Sequence, residues 1–111
     1  EPVNTGEEKS DIYQVNFVEN TVVKDPTTGT KKKGLLFQGR GLPNSFITLY
    51  IYSSFPIVVT TKVDSYGRWS YILTKPLPDG EHKIYAAITD NTGKIIAKSK
   101  TFQKAIQTNT V

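Results

Sequence analysis

The chain has 111 residues, enough for one domain with one core and too few for two. It contains no cysteine and no methionine, which excludes disulfides, thiol chemistry and cysteine-based zinc sites. Its net charge of +4, from 14 basic and 10 acidic residues, is spread along the chain and gathers into no basic face for a nucleic acid.

One Trp, six Tyr and five Phe argue against a disordered chain. No run approaches the ~18 apolar residues needed to cross a membrane, and no basic-then-apolar targeting segment is visible. The Glu1-Pro2 start, without an initiator Met, reads as part of a longer protein. Residues 1–10, EPVNTGEEKS, are polar and aperiodic, so they read as a linker or leader. The domain is expected over 11–106, with a polar tail at 107–111.

Between those ends nearly every segment reads as strand. IYQVNFV (12–18) alternates Tyr13, Val15 and Phe17 against Gln14 and Asn16. TVVK follows, then the turn-rich DPTTGTKKKG, whose Lys31, Lys32 and Lys33 read as a solvated loop that discourages edge pairing. LLFQGRG leads through Leu-Pro-Asn-Ser to FITLYIYS, and Phe55-Pro56 breaks that run before IVVTTKV. The turn Asp64-Ser65-Tyr66-Gly67 precedes RWSYILT, and Pro76, Pro78 and Asp79-Gly80 connect to HKIYAAIT. The turn from Asp90 to Gly93 precedes KIIAKSKTF; only TFQKAIQ has a weak helical period. About seven short strands, with turn signals every ~8–12 residues, predict an all-β sandwich.

Two of the turns share the pattern Asp-x-x-Gly. The Asp side chain accepts from the backbone two residues on, and the Gly adopts the positive φ that closes the turn. Turn chemistry therefore accounts for Asp64, Asp79 and Asp90. A calcium site would need several converging oxygens, and the EF-hand spacing is absent.

Three pieces, GRGLPNSFITLYI, VDSYGRWSY and LPDGEHKIYAAITDNTGK, occur in the order and spacing of a bacterial immunoglobulin-like domain, and the segment from about Leu35 to Phe102 resembles that family. The resemblance implies an immunoglobulin-like β-sandwich of about seven antiparallel strands with Greek-key connections. It also implies an extracellular or cell-surface setting, in tandem arrays within adhesins and secreted proteins. The expected partners are neighbouring domains and, for a binding member, a polysaccharide or protein. The family's corner Tyr, two residues after the Gly of Asp-Gly, is His82 here, read as structural and either bonded locally or half-exposed.

Alternation assigns the faces. His82, Ile84, Ala86 and Ile88 are expected inside, as are Ile47, Leu49 and Ile51. Trp69, Tyr71 and Leu73 form the apolar face of their strand, so Trp69 is expected in the core. Tyr50, Tyr52 and Tyr85 fall on the opposite faces of adjacent strands, making a candidate solvent-facing interaction patch.

No catalytic, cofactor-binding or metal-binding residue is assigned. The carboxylates sit singly, the lone His has no second His or Cys beside it in the sequence, and Gly39-Arg40-Gly41 precedes a strand where a dinucleotide fingerprint must open a helix. A Lys–Asn isopeptide bond is left open; it would lower the intact mass by the ~17 Da of ammonia. Two functions fit: a non-catalytic spacer module, or a ligand-binding module using the tyrosine patch or the end loops.

Overall fold

The computed structural model describes residues 4–52, 56–75, 77, 80–89 and 94–106. Asp79, Asp90, Gly93 and the tail at 107–111 lie outside the described residues. Nine strands are found among the described residues. They are β1 (Asn4–Glu8), β2 (Gln14–Lys24), β3 (Lys31–Arg40), β4 (Phe46–Tyr52), β5 (Ile57–Lys62), β6 (Arg68–Leu73), β7 (Gly80–Thr89), β8 (Ile95–Lys98) and β9 (Phe102–Ile106). The larger sheet runs β1-β8-β7-β4-β5, with β9 continuing beside β7; the smaller is β2-β3-β6. β1 and β8 pair in parallel, and the other pairs run antiparallel.

The two sheets close on one core because each strand presents alternate apolar residues inward. Ile47, Leu49, Ile51, Ile84 and Ala86 come from the larger sheet; Val15, Val18, Leu35, Phe37, Trp69 and Leu73 come from the smaller. Burying one such large apolar side chain contributes about 1.5–3 kcal/mol. Where the sheets meet at one edge, the Thr61 hydroxyl donates to the Ser70 carbonyl at 3.1 Å.

Several expectations change. Asn4–Glu8 is a strand and not a leader: it runs beside β8, and the Lys9 N–H donates to the Lys98 carbonyl at 2.8 Å. Its main chain pairs with β8, and its sequence carries no apolar period. IYQVNFV and TVVK are not separate strands; β2 is continuous from Gln14 to Lys24. Lys31, Lys32 and Lys33 are strand and not loop, paired with Lys24, Val23 and Val22. The tip that joins these strands is set by Asp25, whose Oδ1 accepts the Thr27 N–H at 2.8 Å. Residues 102–106 of TFQKAIQ form β9, antiparallel to β7, and not a helix.

Two bulges reset the alternation. An irregularity between Val15 and Phe17 sends Phe17 to the outer face, 37% exposed, and Val18 to the core in its place. Another pairs Ile95 with Thr89 but Ala97 with Ile88, so Ile95 joins the outer-face cluster while Ala97 stays inside.

β7 also fixes where the first and last strands attach. Gly80 pairs with Ile106 at one extremity, and Thr89 pairs with Ile95, itself opposite Asn4, at the other. The outer ends of the first and last strands, Asn4 and Ile106, therefore lie at opposite ends of β7, roughly 30 Å apart at ~3.3 Å per residue.

Candidate functional site

Tyr50 and Tyr85 stand opposite one another on β4 and β7, with ring centroids 5.0 Å apart. Tyr52 stacks 6.2 Å from Tyr50 and 5.7 Å from Tyr85, and its hydroxyl lies 3.3 Å from that of Tyr85. The structure corrects the expectation of a solvent-facing patch, because Tyr50 and Tyr85 are only 3% and 6% exposed. With Ala87 and Ile95 they form a second apolar cluster on the outer face, against which half-buried Tyr52 packs. The Lys98 ammonium sits 5.8 Å above the Tyr85 ring. Desolvation, and secondarily the neighbouring Tyr52, raises the Tyr50 hydroxyl above its ordinary pKa. Rings packed face to face in this way stabilise the sheet and leave little surface for a ligand.

The turn before β6 is built from its own residues. Asp64 Oδ1 accepts the backbone N–H groups of Tyr66 and Arg68, each at 2.9 Å. The Gly67 N–H donates to the Asp64 carbonyl at 3.1 Å, and Gly67 takes φ +80°, a conformation that glycine adopts freely. Hydrogen bonding from the Arg68 N–H, opposed by desolvation and assisted by the Tyr66 N–H, holds the Asp64 carboxyl below the usual carboxylate range.

Beyond that turn Trp69 is buried, and its indole N–H donates to the Arg40 carbonyl at 3.1 Å. Tyr71 packs half-buried against the same core. Gly80 opens β7 at φ +125°, and two residues later His82 is 2% exposed, so it is not the half-exposed side chain that the sequence left open. Among the described residues no three of His, Cys, Asp and Glu gather as metal ligands would.

The same turn borders an open groove of about 450 Å³ on the outer face of the smaller sheet, a size typical of small-ligand sites. Three strands supply its floor: Asn16 and Phe17 from β2, Gln38 and Arg40 from β3, and Arg68 and Ser70 from β6. Lys62 and Asp64 close one side. Phe17 pairs with Gln38, Gln38 with Ser70, and Arg40 with Arg68, so these residues form two adjacent cross-strand rows. Arg40 donates to the Tyr66 carbonyl at 3.3 Å, Arg68 Nε lies 3.9 Å from Asp64 Oδ2, and the Arg68 guanidinium lies 5.3 Å over the Tyr66 ring. One turn thus steadies both guanidinium groups.

Reading along the sequence missed this groove. Arg40 and Arg68 are the chain's two arginines, and only β3–β6 pairing brings them together. The available signal was their position, one within Gly39-Arg40-Gly41 and the other immediately before Trp69. Phe17 was hidden by the bulge that reversed its face.

No curated protein and no solved structure matches the chain. Residues 5–108 match the bacterial Ig-like domain, a span that takes in all but the start of β1 and reaches past β9. With the two-sheet sandwich and the Trp69 strand that follows the crossover turn in place, the chain belongs to the bacterial Ig-like domain family.

Proposed function

We propose that this domain is a non-catalytic structural module that holds neighbouring domains in line within a bacterial surface or secreted protein. The observation that carries this reading is the placement of β1 and β9 at opposite ends of the long β7 strand. Family membership supports it, since bacterial Ig-like domains are generally non-catalytic and typically occur in surface or secreted proteins.

The first strand also suits a module under tension. β1 runs parallel to β8, so a pull between the two ends of the chain drives them past each other. Their hydrogen bonds are then strained together, whereas an antiparallel hairpin opens one bond at a time. Single-molecule stretching of the domain between two marker domains tests this. The wild type should resist as one cooperative unit, and Lys9→Pro, which deletes the N–H donated to Lys98, should unfold at lower force. Equal forces for the two proteins would overturn the reading.

A further inference from the structure

Beyond this structural role, we propose that the groove across β2, β3 and β6 binds a carboxylate-bearing sugar of the uronate type. Arg40 and Arg68 occupy directly paired positions on one face. Like charges so placed repel unless something between them is negative. Asp64 answers part of that charge from the side of Arg68. Lys62 adds a third cation, leaving three positive side chains against one carboxylate around the groove. Arginine presents a planar fork of donors that matches a carboxylate, and here both forks are braced in advance by the 64–68 turn.

The rest of the lining selects among anions. Asn16, Gln38 and Ser70 offer both donors and acceptors, as a ring of hydroxyls requires. Phe17, 37% exposed, gives an apolar surface for the C–H face of a sugar. Asp64 accepts from hydroxyl groups but repels a dense polyanion such as polyphosphate. One carboxylate set among many hydroxyls meets all of these demands, whereas a phosphate chain or a neutral sugar does not.

Titration of the isotope-labelled domain with tetragalacturonate, followed by amide chemical shifts, tests the proposal. Saturable binding should perturb Gln38, Arg40, Arg68 and Ser70 and weaken as salt rises. Arg40→Gln and Arg68→Gln should each lower affinity about tenfold or more, and Arg40→Lys should restore it only in part. Because Arg40 and Arg68 also brace the turn, Ser70→Asp provides a second variant: it places a negative charge on an exposed strand position and should abolish binding with the spectrum otherwise folded. Absence of binding, equal binding of the fully methyl-esterified tetramer, or equal binding of tripolyphosphate would each overturn the proposal.

Discussion

Gly39 passes directly beneath Trp69, and a Cβ at that position would stand 2.5 Å from indole Cζ2 and collide with the Gln14 carbonyl oxygen. The backbone of β3 is therefore pressed between β2 and the one Trp of the chain. Gly39→Ala should destabilise the fold by about 1–3 kcal/mol or more, because neither a backbone carbonyl nor a packed indole yields easily. Urea denaturation followed by Trp69 fluorescence measures it. An unchanged midpoint would show that the contact relaxes without cost.

Trp69 itself gives two separable costs. Trp69→Ala removes a buried ring and should cost ~3–5 kcal/mol. Trp69→Phe keeps most of the apolar volume but deletes the N–H donated to the Arg40 carbonyl, and should cost roughly 1–3 kcal/mol. Circular dichroism melts of the two variants check the order, and a Phe variant as unstable as the Ala variant would contradict it.

Tyr50 and Tyr85 should behave as core residues. Replacing either with Ser removes a stacked, nearly inaccessible ring and should destabilise by about 3 kcal/mol or more. Tyr52, half-buried at the margin of the cluster, should tolerate Ser at a smaller cost. Chemical denaturation of the three variants decides whether the cluster is packing or free surface. Near-native stability for Tyr50→Ser and Tyr85→Ser would restore the exposed reading.

Asp64 makes a pH prediction whose sign follows from its hydrogen bonds. Its folded-state pKa lies below the unfolded value near 3.8, so folding favours the charged form. That contribution is complete above the unfolded value and is lost as pH falls through the folded-state pKa. The melting temperature of Asp64→Asn should therefore lie below wild type near neutrality, and the gap should narrow below about pH 4. A gap that stays constant into strong acid would assign the effect to turn geometry alone.

Alternation read the inner faces well, because Ile47, Leu49 and Ile51, and Trp69 and Leu73, each repeat at period two. It could not say whether the other face was covered. Tyr50 and Tyr85 point away from the main core yet are buried, since tyrosines on neighbouring strands cover each other. A bulge defeated it at Phe17, where one extra residue reverses every later assignment. β1 had no apolar period to read. The arginine row became visible only with β3 and β6 in register, since pairing across 28 positions leaves no local trace.

The β1–β8 pairing has a kinetic consequence. The first strand finds its partner only when residues 95–98, close to the other end of the sequence, are available. A chain emerging from its N-terminus can zip β2 to β3 early, but it holds β1 unpaired until almost all of it has appeared. Such distant pairing is slow, because the entropy of closing the loop is lost before the contacts form. Completion of the fold is thereby deferred until residues 95–98 are in place to receive residues 4–8.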